Sequence, residues 1–388
     1  MRQVAERSIF GILGPNGSGK STLMRILAGL IRSWKGGIYF KGKKLNYKNT
    51  NILKNFGFMI ESPTFYEYLT AYDNLSILSK LTKTSKKRIF NKGNDRIKYP
   101  AIIGHEVSGT VIESSSGDFS VGDKISIGAD IPCGNCKYCE TKRPNLCQQN
   151  LAIGYQLKGG FSEYMFLNKE LIKNGPIKKI PQDFNLEIAC LGEPLACALN
   201  GLEKLNIRVK GGRMIIFGSG PIGIMLGMLA KYLYKIEEVN YVELSEYRRN
   251  FLKSLDIANQ IMTPNDLESN LDYHINTYQY VITACSAIQT HALGISLLSN
   301  GGSINFFGGL PKPAPAVQIV TNDIHYKELT LTGSHGSTPI QHSQAIDIIL
   351  EKKDFFEKLI THRYSLKDIN QAFELASSGK GVKIIIKP

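Results

Sequence analysis

Apolar positions along this chain fall into two unlike blocks. Near the start, a short apolar run at residues 8–13 leads into a glycine-rich loop and then an amphipathic stretch at 21–30, predicting strand, loop and helix. Residues 82–98, TKTSKKRIFNKGNDRIK, are polar and basic with no apolar period, and read as a junction. Beyond it the pattern alternates. Apolar runs at 213–218, 238–243, 278–284, 303–307 and 328–333 read as strands, and stretches at 222–234, 286–298 and 341–352 read as helices. The tail, 381–388, reads as one more strand. Strands alternating with helices predict a doubly wound α/β sheet. The longest apolar run, 214–234, is broken by Gly218, Gly220, Gly223 and Gly227. It is therefore expected to belong to a nucleotide fold, and no membrane span is expected.

Composition supports a folded chain: of 388 residues, 43% are hydrophobic and 21% charged, enough for a sizeable core. That length suits two to three domains. Lysine and arginine exceed aspartate and glutamate by 47 to 33, a net charge of +14. The lysines are scattered, and isoleucine and asparagine are frequent. An AT-rich coding bias accounts for this, so no nucleic-acid partner is expected. The opening MRQVAERSIF lacks the long apolar core of a secretory signal.

Four of the seven cysteines, Cys133, Cys136, Cys139 and Cys147, lie in one short excursion. Four soft thiolates at this spacing predict a closed, structural tetrahedral zinc site, and with it a reducing cytoplasm rather than disulfides. Cys190, Cys197 and Cys285 stand in apolar surroundings and are expected to be buried free thiols.

Two glycine motifs point to phosphate. The first, Gly14, Asn16, Gly17, Gly19, Lys20, Ser21 and Thr22, fits GxxxxGK[ST] between strand and helix. Its backbone N–H groups can cradle phosphates, Lys20 can reach the terminal ones, and Ser21 can hold Mg²⁺. The second, Gly218, Gly220, Pro221, Ile222 and Gly223, runs from a predicted strand into a predicted helix, with Glu243 ending the next strand. That is a dinucleotide-binding arrangement. Glu243 favours the ribose hydroxyls of NAD over the 2′-phosphate of NADP, and Arg248 or Arg249 could instead attract a phosphate.

Residues 8–81 resemble the ATP-binding subunit of ABC transporters of the peptide-antibiotic exporter type. The resemblance is carried by GILGPNGSGKSTLMRILAGL, GGIYFKGKKL and FGFMIESPTFYEYLTAYDNL, with Glu61 where that family has its Q-loop glutamine. It covers a slice only. The upstream aromatic adenine platform, LSGGQ and an acidic Walker B strand are all missing. Weak binding of ATP and Mg²⁺ is compatible with this slice, and ATP hydrolysis is not expected.

Residues 88–388 resemble the zinc-dependent medium-chain alcohol dehydrogenases, in the polyol branch of sorbitol, galactitol-phosphate and threonine dehydrogenases. The carrying stretches are RIFNKG (88–93), YPAIIGHEVSGTV (99–111), VGDKI (121–125), the four-cysteine lobe, GGFSEY (159–164), GEPLAC (192–197) and GSGPIG (218–223). The resemblance implies a Rossmann domain beside an incomplete GroES-like β catalytic domain, preceded here by the truncated P-loop α/β segment. It divides the chain into 1–82 (P-loop segment), 83–98 (junction), 99–200 (catalytic domain with zinc lobe), 201–340 (NAD-binding domain) and 341–388 (return to the catalytic domain). It also implies a catalytic zinc at His105, Glu106 and Glu193. The family's catalytic cysteine should precede RIFNKG, where the transporter-like slice stands, and no cysteine precedes Cys133. The join reads as a chimera of two partial genes.

The leading expectation is a cytoplasmic, homo-oligomeric, NAD-linked zinc dehydrogenase acting on a secondary alcohol of a polyol or sugar phosphate. An inert remnant that binds NAD and structural zinc is the alternative. An ABC transporter fragment is a more distant one.

Overall fold

The computed structural model describes residues 101–207, 211–311 and 316–388, and in the first part of the chain residues 22, 23, 26, 31, 35–40, 43 and 44. The chain divides into two compact units, Met1–Gly93 and Asn94–Pro388.

In the first unit, Thr22, Leu23 and Ile26 are helical, inside the stretch where a helix is predicted. Two short strands, β1 (Tyr39–Phe40) and β2 (Lys43–Lys44), pair antiparallel. The rest of the predicted phosphate loop, Gly14, Asn16, Gly17, Gly19, Lys20 and Ser21, lies outside the described residues, as do the predicted strand 8–13 and Glu61.

The second unit begins with a small antiparallel β region. Strands β3 (Val107–Thr110), β4 (Lys124–Ile127) and β7 (Ile177–Ile180) form one sheet. Strands β5 (Asp130–Ile131) and β6 (Leu151–Ala152) pair beside it and carry the cysteine lobe between them. Ile125, Ile127, Ile131, Ile153 and Leu171 make a modest core of their own.

Then comes the expected doubly wound sheet. Strands β8 (Arg213–Phe217), β9 (Glu238–Val242), β10 (Gln260–Met262), β11 (Tyr278–Thr283), β12 (Leu298–Phe306) and β13 (Thr330–Gly333) lie in the order β10-β9-β8-β11-β12-β13, every pair parallel. The strand β8, RMIIF, is buried at four of five positions, as a strand covered on both faces requires. The order reverses between β8 and β11, so the crevice at their carboxyl ends is the topological switch point. Four helices bear on the candidate site: α1 (Gly192–Glu203), α2 (Pro221–Tyr232), α3 (Glu246–Lys253) and α4 (Pro339–Glu351). The main core gathers α1, α2 and α4 on one face of the sheet, with Leu195, Leu199, Ile224, Leu226 and Ile346 among its buried members. Finally β14 (Ile360–Ser365) and β15 (Lys383–Lys387) pair in parallel.

Three elements differ from the expectation. The predicted strand 328–333 starts two residues later, because Glu328 caps the helix Thr321–Lys327 in a left-handed conformation (φ 52°). The strand predicted at 303–307 begins at Leu298, where its polar start, LSNGG, pairs with β11 across a register shift. The helix predicted at 286–298 is shorter, Gln289–Ser296. Among the described residues, no helix is long and apolar enough to cross a membrane.

Candidate metal centres and dinucleotide loop

The cysteine lobe is a short helix, Lys137–Glu140, followed by a 3-10 turn, Pro144–Leu146, with little apolar material of its own. Its four sulfurs converge within 4.8 Å of one another. Cys136 and Cys139 are 3.6 Å apart, Cys136 and Cys147 3.7 Å, and Cys133 and Cys139 3.9 Å. A tetrahedron with zinc–sulfur bonds of about 2.3 Å has edges of about 3.8 Å. The four residues therefore fit a zinc ion. The Cys133 backbone N–H donates to the Cys147 sulfur at 3.4 Å. Backbone N–H groups, that of Cys139 foremost, pull the Cys136 thiol down to about 6, while burial pushes Cys147 up to about 11. The lobe is also tied outward. Asn174 Nδ2 donates to the Cys133 carbonyl (3.3 Å) and Asn145 Nδ2 to the His335 carbonyl (3.0 Å).

A second donor cluster brings His105, Glu106 and Glu193 within 4.8 Å of one another, across 88 residues of sequence. Glu193 sits in the first turn of α1, a position that also tolerates Pro194. It is 7% exposed, and burial raises its carboxyl to about 7, with the Cys197 thiol donating to it at 3.4 Å. His105 is held below its ordinary range by burial and then by the positive charge of Lys383, against the opposing effect of Asp130. A neutral imidazole is the form that can donate a lone pair to a metal. Glu106 is ion-paired to Lys383 of β15. The cluster opens onto a cavity of about 330 Å³ that also takes in Cys197, Ile222, Phe307 and His335. Two carboxylates and an imidazole fit a divalent ion, with less soft character than a site containing thiolate.

The loop 334–336 walls one side of this cavity. It is held by Asn145 from the lobe and by Asn200 of α1, whose Nδ2 donates to the carbonyls of His335 (3.3 Å) and Gly336 (2.9 Å).

The glycine loop leaves β8 at the switch point. Gly218 adopts φ +99°, a conformation that favours glycine. A methyl group on Gly223 would lie 2.0 Å from the Gly218 carbonyl oxygen, so α2 packs directly on the loop. Gly220, the N-cap of α2, has open space above it, with Arg248 Nη1 3.7 Å from where a Cβ would sit. Pro221 and Ile222 begin the helix, and Ile222 reaches the cavity. Glu243, 6% exposed, accepts from the Ser219 N–H (2.7 Å) and hydroxyl (3.1 Å) with one oxygen, and from the Ser245 N–H (2.8 Å) with the other. The acid is thus fastened to the loop, with about one of its four acceptor sites left for a further donor. Arg248 faces the loop, and its buried Nε has no protein partner. Arg249 instead donates to the carbonyls of Glu243 and Leu244.

The expectation that all three remaining cysteines are buried holds for Cys190 alone. Cys197 is partly exposed because it opens onto the cavity, and Cys285 is partly exposed beside Thr290. Sequence reasoning also missed Lys383, whose partner Glu106 is 277 residues away, and the 334–336 loop. For Cys197 a signal existed: it is four residues from Glu193, on the same helix face.

Comparison with known proteins agrees with this architecture. Residues 79–177 match the alcohol dehydrogenase GroES-like domain, and residues 221–351 match the zinc-binding dehydrogenase domain. Residues 2–127 match the ABC transporter family, overlapping the first of these. A sorbitol dehydrogenase of Halalkalibacterium halodurans is 27% identical over 303 residues, covering 76% of this chain and 86% of the relative. A D-altritol 5-dehydrogenase of Agrobacterium fabrum is 28% identical, covering 70% and 78%. The crystal structure of a zinc-binding dehydrogenase from Sinorhizobium meliloti, bound to NADP, superposes with a TM-score of 0.68 at 26% identity, covering 75% of this chain and 85% of that one. With a doubly wound nucleotide domain, a GroES-like β region and two convergent donor sets in one unit, residues 88–388 resemble the zinc-dependent, NAD-linked medium-chain alcohol and polyol dehydrogenases.

Proposed function

We propose that the second unit is an NAD-dependent zinc dehydrogenase that oxidises a secondary alcohol of a polyol or sugar phosphate. One observation carries this reading: His105, Glu106 and Glu193 converge in a cavity that also receives Ile222, at the head of the glycine-loop helix. Metal donors and dinucleotide loop therefore share one space.

In this reading His105, Glu106 and Glu193 hold the ion, and Cys133, Cys136, Cys139 and Cys147 hold a second one that pins the lobe. A zinc ion at the first site supplies Lewis acidity toward the alcohol oxygen, and NAD supplies the hydride acceptor. The rest is done by the chain. Burial keeps His105 neutral and available as a donor. Lys383 fixes the Glu106 carboxylate. Ile222 and Phe307 give the cavity an apolar side that limits water. Gly218, Gly220, Pro221, Ile222 and Gly223 present the N-terminus of α2 to a pyrophosphate. Glu243, fastened to Ser219, favours NAD, and Arg248 flanks the loop on its other side. The activities for which relatives are named, sorbitol, D-altritol and L-threonine 3-dehydrogenases, support a small hydroxylated substrate. Seven free cysteines fit the cytoplasm, and a homo-oligomer is the assembly we expect.

The test is NADH formation across a panel of polyols, polyol phosphates and amino alcohols, abolished by His105→Ala. Lack of turnover on the whole panel, with NAD demonstrably bound, sinks the reading. It leaves the second one: a chain that binds NAD and lobe zinc without turnover. The observation favouring that alternative is the sulfur-free donor set of His105, Glu106 and Glu193.

A further inference from the structure

Glu193 and Cys197 stand one turn apart on α1, at i and i+4, so their side chains leave the same helix face. Both line the cavity that contains His105 and Glu106. The Cys197 sulfur lies 3.4 Å from Oε1 of Glu193. A zinc ion with bonds of about 2.3 Å to sulfur and about 2.0 Å to a carboxylate oxygen, at the tetrahedral angle, sets those two atoms about 3.5 Å apart. The observed separation is that of a thiol donating to a carboxylate, and it is also one that two ligands of a single ion can have. The same criterion fits the sulfur pairs of the lobe, at 3.6–3.9 Å against an edge of about 3.8 Å. Two donors at i and i+4 on one helix is also a spacing by which proteins bind zinc.

The other sulfurs are spoken for. Four belong to the lobe. Cys190 is buried with its thiol on the Glu187 carbonyl (3.2 Å), and Cys285 stands beside Thr290. Among the described residues that line the cavity, Cys197 is the one that offers sulfur.

We propose that Cys197 supplies the sulfur donor of the cavity's metal site, acting with His105 and Glu193, while Glu106 remains paired to Lys383. The thiol proton leaves to solvent as the zinc–sulfur bond forms. Three protein donors keep open the fourth position that a catalytic zinc needs. The inference rests on the metal-site reading above and changes its donor set from one nitrogen and two oxygens to one nitrogen, one oxygen and one sulfur.

The test uses the full chain, stripped of metal and titrated with zinc against a chromophoric chelator. Wild type should take two zinc ions per chain. Cys197→Ser should keep the lobe ion and bind the second at least ~10-fold more weakly, the lower end of what even outer partners contribute. His105→Ala should lose the second ion. In parallel, iodoacetamide labelling of the wild type, read by peptide mass spectrometry, should show Cys197 protected by the second equivalent of zinc, with Cys285 labelled alike throughout. That footprint holds even if the serine variant folds poorly. Unchanged second-site affinity in Cys197→Ser, with loss in His105→Ala, overturns the inference and leaves the metal-site reading standing. A wild type that takes only one ion, with Cys197 labelling indifferent to zinc, overturns both.

Discussion

Three glycine-to-alanine changes separate what the fold demands of the dinucleotide loop from what a ligand demands. At Gly223 a new methyl group would meet the Gly218 carbonyl oxygen at 2.0 Å and its carbon at 3.0 Å. Both are backbone atoms, so relief requires loop or helix to move. Overpacking of this kind costs about 1–3 kcal/mol, offset by up to ~1 kcal/mol from the better helix propensity of alanine. A net loss of about 1–2 kcal/mol, at roughly 2–4 °C per kcal/mol for a domain of this size, lowers the melting temperature by about 2–8 °C. NAD affinity should fall with it, since the displaced element is the loop proposed to bind the pyrophosphate. At Gly220 the added methyl makes an ordinary contact with Arg248 at 3.7 Å. The change should cost less than ~1 kcal/mol, the scale of an N-cap substitution. If a pyrophosphate passes over this residue, NAD affinity still falls while the melting temperature barely moves. Gly117, with nothing within 4 Å and no left-handed backbone, is the control and should change neither. The assay is thermal unfolding alongside NAD titration by intrinsic fluorescence or calorimetry. Gly223→Ala with wild-type stability would refute the steric argument. Gly220→Ala with wild-type NAD affinity would refute the placement of the dinucleotide.

Three further outcomes are expected. Cys147→Ser should lose the tighter zinc by metal analysis and make 133–147 the first site of limited proteolysis, because the lobe has little core of its own. His342 is fully buried, with Ser126 beside it, and burial lowers its imidazole to about 4. The unfolded chain binds that proton near 6.5, so stability from the neutral imidazole is complete above about pH 6.5. It is lost as pH falls toward 4, by up to about 3 kcal/mol. A His342→Gln variant with the same pH slope of melting temperature as wild type would exclude that origin. The first unit should release no inorganic phosphate from ATP beyond a Lys20→Ala variant, since no LSGGQ or acidic Walker B strand accompanies its phosphate loop. Turnover abolished by that substitution would overturn this expectation.

The readable parts of the chain are those whose physics is local. Strand β8 and the loop after it announce themselves because a parallel strand buried on both faces must be apolar throughout, and a tight turn onto a helix must be glycine. The four lobe cysteines are legible for the same reason: they lie close in sequence, and one short segment brings their sulfurs together as a donor set that fits zinc. The helix α1 hides better. Apolar nearly all round and carrying Pro194, GEPLACALNGLE has neither a polar stripe nor a clean start, so Cys197 passes for an ordinary buried thiol. The second metal cluster has no local signature. His105 and Glu193 meet only through the packing of α1 beneath the small β region, and only family resemblance made them candidates. Lys383, in the strand KIIIK, reads as a solvent-facing cation until β15 is set beside Glu106.

The loop 334–336 carries a consequence for engineering. Asn145, in the 3-10 turn of the cysteine lobe, and Asn200 on α1 both hold the His335 carbonyl, and Asn200 also holds that of Gly336, so one wall of the candidate cavity hangs between two anchors. An ion held by the four lobe cysteines would thereby help to draw the pocket's outline. Trimming the lobe as a dispensable module, or swapping it between relatives, would redraw substrate preference before it touched the rate of any step.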